Sequence, residues 1–211
     1  MENKENNTKP VKRYAFIDVQ NTDGTTNKIL GFVMDWQKLF HYLKNEWQCE
    51  KIFFYSGIQQ GDENTAAEYQ ALSVLGYEMR AKPYFIYKNR DGVMRLVCPK
   101  CKTEITQTVE RGVKWKSNCD VELSVDAKNC VKKGDELLIF TGDGDFEYLI
   151  RDLITVAAKV YIVSNARKIQ VAPRYSLSRF STKLRKLIAD EPERVFFLDI
   201  NDWKMRIKKD V

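Results

Sequence analysis

Two aspartates one residue apart, Asp143 and Asp145, follow the apolar run Leu137-Leu-Ile-Phe140 through a Thr-Gly turn. Asp18 likewise closes the apolar run Tyr14-Ala-Phe-Ile17, and Asp120 opens a helical pattern near mid-chain. Like charges at the mouths of buried segments repel one another and raise one another's proton affinity. A divalent cation removes that penalty. Hard oxygen donors suit Mg²⁺ or Mn²⁺, and such an ion activates water and stabilises the charge of an in-line phosphoryl displacement. Each aspartate also has an ordinary explanation. Asp143 fits a helix cap ahead of Phe146, and Asp18 fits the start of a loop through Asn21, Asp23 and Gly24. Asp126 lies six residues beyond Asp120, about 240° around a helix. A straight helix therefore points only one of them at a small site. Asp120 is the preferred one, which leaves Asp126 a supporting or structural role.

The elements that must hold these carboxylates alternate in type. Strands are expected at 14–18, 51–55, within 77–87, and at 136–140, 160–163 and 195–198. Helical periodicity covers 35–47, 63–75 with Gly76 as its stop, 120–131, 146–158 and 178–189, and a short basic helix follows the last strand. This alternation predicts an α/β fold with a mostly parallel central sheet and helices on both faces. Ligands of such sheets bind at the carboxyl ends of the strands, where Asp18, Asp143 and Asp145 fall. Residues 1–12 are expected to be a disordered lead and 13–211 a single domain. Within it, about 84–116 reads as an inserted β-hairpin arm, marked by the turn Asn89-Arg-Asp-Gly92 and by β-branched residues on both sides of Cys98-Pro-Lys-Cys101.

The chain has 211 residues, is 44% hydrophobic and carries a net charge of +6. The charge comes in blocks. Residues 80–116 hold ten Lys and Arg against three Asp and Glu, and residues 167–211 hold twelve against six. Two acidic blocks, 1–79 and 117–166, alternate with them. Basic blocks attract phosphate-rich partners, although they also serve solubility alone. No apolar run approaches the length of a membrane helix, and the first ten residues are too polar for a signal peptide. No membrane association is expected. Five cysteines, an odd number thinly spread, do not form a secreted disulfide framework, so the expected location is intracellular, taken as cytoplasmic.

Cys98 and Cys101 supply half of a structural zinc site, which generally takes four protein ligands. No second CxxC is present and the single histidine is His41. Cys119 as a third ligand, two arms meeting across a homodimer, and two free thiols are the alternatives. Tyr84, Phe85, Tyr87 and Trp115 lie among the arm's basic residues. They stack on unpaired bases in one reading and pack the arm onto the body in another. The basic run Arg174 to Lys186 reads as a solvated helix face or as a lining to the site. Other chemistries find no support. His41 has no triad context, no GxGxxG or GxxxxGK[ST] occurs, and Gln20 stands where a haloacid-dehalogenase phosphatase needs a second aspartate.

Taken in order, Phe16-Ile-Asp18 with Asn21, Lys116-Ser-Asn-Cys-Asp120 through Asp126, Thr141-Gly-Asp-Gly-Asp-Phe146 with Leu149-Ile150, and Ser181-Thr-Lys-Leu184 before Ala189-Asp190 resemble the NYN-domain proteins. These are a branch of the PIN-like nucleases that includes the LabA and DUF88 group. The resemblance spans about residues 13–200. It implies a PIN-like three-layer α/β/α sandwich and a Mg²⁺- or Mn²⁺-dependent endonuclease, usually acting on RNA. By motif position Asp18, Asp120, Asp143 and Asp145 would form the catalytic metal site, Asn21 would support Asp18, and Lys116 and Ser117 would lie beside the substrate phosphate. The chain departs from the family where Lys-Ser-Asn-Cys-Asp replaces the shorter Lys-Gly-Val-Asp, and in its longer arm. The leading expectation is an endoribonuclease acting on single-stranded RNA. The alternatives are an RNA-binding or assembly module that keeps the carboxylates without turnover, and a phosphoesterase of small phosphate esters.

Overall fold

A computed structural model describes residues 11–172 and 175–210, except the side chains of 114–116 and 175. In chain order, β1 (Arg13–Asp18) leads into α1 (Val19–Lys28) and α2 (Trp36–Asn45), and β2 (Lys51–Ile58) into α3 (Glu63–Leu75). After β3 (Glu78–Pro83) comes the arm: β4 (Phe85–Lys88), β5 (Gly92–Val97), β6 (Glu104–Val109) and β7 (Val113–Lys116). Next are α4 (Asp120–Cys130), β8 (Glu136–Phe140), a 3₁₀ turn (Gly144–Phe146), α5 (Glu147–Leu153) and β9 (Lys159–Ser164). The hairpin β10 (Ile169–Ala172) and β11 (Tyr175–Leu177) precedes α6 (Thr182–Asp190), β12 (Val195–Asp199), a 3₁₀ turn (Ile200–Trp203) and α7 (Lys204–Ile207).

Six strands form one sheet in the order β12-β9-β8-β1-β2-β3. Every pairing in it is parallel. From β1 the chain builds outward to β2 and β3 on one side, then returns to build β8, β9 and β12 on the other. The order therefore reverses at β1, and the crevice beyond the carboxyl ends of β1 and β8 is the place where such sheets bind ligands.

Side chains alternate across β1. Phe16 faces a core with Phe53, Leu137, Ile139, Leu123, Ile150 and Leu184, under α4, α5 and α6. Its neighbour Ile17 faces a second core with Phe54, Leu138, Leu39, Leu43, Leu72 and Trp203, under α2, α3 and α7. Apolar burial on both faces explains the near-continuous hydrophobic runs of β1, β2 and β8, and gives the expected three layers.

The structure departs from the sequence expectations in four places. The segment after Asp18 is a helix, α1, where a loop was expected. Its buried residues are Val19 and three threonines, Thr22, Thr25 and Thr26, so no apolar period announces it. The Thr22 hydroxyl donates to the Asp18 carbonyl at 2.7 Å and that of Thr25 to the Asn21 carbonyl at 2.9 Å, which lets these side chains be buried satisfied. The strand expected within 77–87 divides at Tyr84: β3 stays in the sheet and β4 enters the arm. The helix expected at 146–158 is a 3₁₀ turn and then α5, ending at Leu153. Of the run 174–186, Arg174 lies outside the described residues, Tyr175–Leu177 is a strand, and α6 starts only after its cap Ser181. The arm is present as a ribbon, β4 against β7 and then β5 against β6. Of the lead expected at 1–12, residues 1–10 lie outside the described residues.

Candidate active site

Asp18 ends β1 and caps α1. Its Oδ1 accepts the Asn21 backbone N–H at 3.1 Å, and its Oδ2 accepts the Thr141 hydroxyl at 3.3 Å. Asn21, one turn into α1, turns its side chain back to the neighbouring strand. Its Oδ1 accepts the Gly142 N–H at 2.8 Å. The same Thr141 hydroxyl accepts the Asp143 N–H at 3.1 Å, and Asp143 Oδ1 accepts the Asp145 N–H at 3.0 Å. A chain of hydrogen bonds therefore runs from β1 through α1 to the turn after β8. Asp120 enters from the third side as the first residue of α4, its N–H bonded to Asn118 Oδ1 at 2.8 Å.

These side chains line a cleft of about 250 Å³ together with Tyr55, Ser56, Ser117 and Arg179. Burial pushes the Asp18 carboxyl up to about 6, and the charges of Asp120 and Asp143 push the same way against the Asn21 and Thr141 hydrogen bonds. Asp145 is different. Its side chain is 78% exposed and 3.8 Å from Lys183 Nζ, at the outer rim. Ser117 is buried, with its hydroxyl donating to the Lys82 carbonyl at 3.5 Å. The side chain of Lys116 lies outside the described residues. Asp126 is not among the residues lining the cleft; it accepts from Tyr55 Oη and Arg80 Nε, each at 3.0 Å.

The donor set is all oxygen, which suits a hard divalent cation. Among the described residues no three Asp, Glu, His or Cys side chains are gathered closely enough to hold a metal ion. Asp18, Asp120 and Asp143 share the cleft without converging on one point. Mg²⁺ uses one or two carboxylates and fills the rest of its shell with water, so the residues fit such an ion.

Arg179 is the functional candidate that sequence reasoning did not single out. It lies between β11 and α6 and lines both the acidic cleft and an adjoining recess with Ser181 and Lys183. Among the described residues its Nε is buried without a hydrogen-bond partner. A Cβ added to Gly24 would come within 2.4 Å of the Arg179 guanidinium carbon, so the bare backbone of α1 is what gives the guanidinium its seat. Only its membership of a basic run marked it in the sequence.

Cys98 and Cys101 occupy the outer turn of the arm, while Cys119 is buried at the start of α4, its thiol donating to the Ser56 carbonyl at 3.5 Å. Phe85 and Tyr87, two of the arm's aromatics, are more than half exposed and do not pack the arm onto the body. Among the described residues no helix is long and apolar enough to cross a membrane.

The architecture is shared with a crystallised protein of unknown function from Vibrio parahaemolyticus, with a TM-score of 0.57 and 21% identity over 90% of this chain and 94% of that one. Residues 13–182 match the NYN domain, and the chain belongs to that family, whose members are generally nuclease-like. It is also 25% identical over 174 residues to the low amplitude and bright protein LabA of Synechococcus elongatus, covering 82% of this chain and 83% of LabA.

Proposed function

We propose that the protein is a divalent-metal-dependent endonuclease that hydrolyses phosphodiester bonds of single-stranded RNA. The observation that carries this reading is the shared cleft of Asp18, Asp120 and Asp143 at the point where the sheet order reverses, with Asp18 driven toward protonation by burial and by the other two. An acidic cluster costs stability unless a cation offsets it. A bound Mg²⁺ or Mn²⁺ would supply an activated water and charge stabilisation at the phosphate. One or two of Asp18, Asp120 and Asp143 would ligate it directly, and the remaining carboxylates, Asp145 among them, would hold it through its waters. Asn21 fixes Asp18 relative to the 141–145 turn. Arg179 offers a guanidinium to the phosphate, and Lys183 and the basic arm extend that attraction along the strand. Nucleic acid is the partner that both the family and the basic blocks favour.

A second reading, RNA binding without turnover, is favoured by the outward-facing Asp145 and by carboxylates that do not converge. Labelled single-stranded RNA incubated with Mn²⁺, with EDTA, and with Asp143→Asn separates the two. Cleavage that needs the metal and fails in the variant supports the nuclease. RNA retained intact by metal-loaded protein, across several RNA sequences, supports the binding module.

A further inference from the structure

The acidic cleft makes no use of the outer half of the arm. There, among the described residues, β5 and β6 pair only with each other, and an isolated two-stranded ribbon is marginal in water. Yet this ribbon exposes Val93, Met94, Leu96, Val97 and Ile105. Leu96 stands opposite Ile105, and Met94 is two residues along on the same face, so these three form one apolar strip.

Past Val97 the chain turns through Cys98-Pro-Lys-Cys101. The Cys98 N–H donates to the Thr103 carbonyl at 3.0 Å and the Lys102 N–H to the Cys98 carbonyl at 2.9 Å. Lys102 takes a left-handed backbone, φ 60°. The turn sets both cysteines at the arm's tip, with the Cys101 sulfur 3.2 Å from the Thr103 hydroxyl oxygen. Two cysteines three residues apart on one tight turn supply half of a tetrahedral thiolate site. Among the described residues no further ligand comes from the same chain. Cys49 and Cys119 are buried in the body, Cys130 is half-buried on α4, and no third ligand joins the pair among the described residues.

We propose that the Cys98–Cys101 turns of two copies of this chain bind one Zn²⁺ through four thiolates, joining the protomers arm to arm. Four soft sulfur donors in a closed shell select zinc in a structural role. Each cysteine gives up its thiol proton on binding, so four protons leave to solvent as the ion enters. Two like tips repel: residues 92–109 hold Arg95, Lys100 and Lys102 against Glu104 alone. A four-thiolate zinc centre carries net charge −2 and offsets that repulsion. The contact is isologous, as a two-fold dimer requires, and it brings the Met94, Leu96 and Ile105 strips near one another for mutual cover.

The test is made on full-length protein purified under reducing conditions without chelator. Zinc is measured by mass spectrometry and molar mass by light scattering, beside a Cys98→Ser/Cys101→Ser double variant. The expected result is about one zinc per two chains and a dimer mass, with a zinc-free monomer for the variant. A strong chelator should dissociate the native dimer, and added zinc should restore it; this arm needs no variant to fold. Cobalt substitution should give the visible spectrum of a tetrahedral four-thiolate site. Zinc absent from the reduced protein, zinc bound to a monomer, a dimer that persists in the double variant, or a Cys98–Cys101 disulfide in its place would each overturn the proposal.

Discussion

Asn21 Oδ1 accepts the Gly142 backbone N–H at 2.8 Å, and this bond ties the helix after β1 to the turn that carries Asp143. The same residue's N–H holds Asp18, so one short side chain sets the relation between carboxylates from two strands. Asn21→Ala removes the side-chain acceptor and leaves the Gly142 N–H unpaired, at a cost of about 1–3 kcal/mol. Outer partners of metal ligands are typically worth about 10–100-fold in activity or metal affinity. The variant should remain folded by circular dichroism and cleave RNA about 10–100-fold more slowly in Mn²⁺. Undiminished cleavage would remove Asn21 from the site's construction.

Asp18 gives the metal-free protein a pH dependence of definite sign. An unfolded aspartate titrates near 4, whereas the folded Asp18 is pushed up to about 6. Below about pH 4 both states are protonated and its contribution is fully present. Between about 4 and 6 the unfolded chain releases the proton while the folded one keeps it, so stability falls as pH rises. The loss is complete above about 6 and amounts to about 3 kcal/mol at most. Asp18→Asn keeps an oxygen acceptor for Asn21 and should melt higher than the native protein at pH 8, with no such advantage at pH 4. Mn²⁺ should raise the native melting temperature at pH 8 more than that of the variant. Equal melting at both pH values would show that Asp18 bears no charge penalty.

Asp120 and Asp126 should separate cleanly by the kind of damage their loss does. Asp120 lines the cleft and adds to the charge on Asp18. Asp126 accepts from Tyr55 and Arg80 behind it. Asp120→Asn should abolish cleavage with little change in melting temperature. Asp126→Ala strands the Tyr55 hydroxyl and should cost about 1–3 kcal/mol, leaving metal-dependent cleavage in the surviving folded protein. The reverse pattern in the two variants would exchange their roles.

Much of this arrangement was legible because carboxylates at strand ends and alternating elements follow from local pattern. β1, β8 and α4 stand where their apolar runs and periodicity put them, and Asp18, Asp120 and Asp143 follow from that. What stayed hidden depends on contacts distant in sequence. Helix α1 buries threonines whose hydroxyls bond back to the preceding turn, so hydrophobic period could not find it. Arg179 reaches the cleft because the chain, after β11 pairs with β10, returns over Gly24. The outward turn of Asp145 toward Lys183 depends on α6, about 40 residues away. Spacing alone placed Asp145 with Asp143; both line the cleft, and packing leaves Asp145 at its exposed rim.

Two glycines test the seat of Arg179 in opposite ways. At Gly24 a Cβ would meet the tip of the guanidinium, 2.4 Å from its central carbon; at Gly142 it would meet the Arg179 backbone carbonyl at 2.0 Å. A flexible side chain can move aside, whereas a packed backbone cannot without strain. Gly24→Ala should therefore keep or raise stability, since alanine gains about 1 kcal/mol over glycine in a helix, while displacing the guanidinium. If Arg179 holds a phosphate, RNA affinity falls and the slope of log affinity against log salt becomes shallower by about 0.7. Gly142→Ala should instead destabilise the fold by about 1–3 kcal/mol and impair the Asp143 turn with it. Thermal melts and RNA titrations at several salt concentrations read both effects. An unchanged salt slope in Gly24→Ala, with the guanidinium moved, would take Arg179 out of the RNA-binding surface.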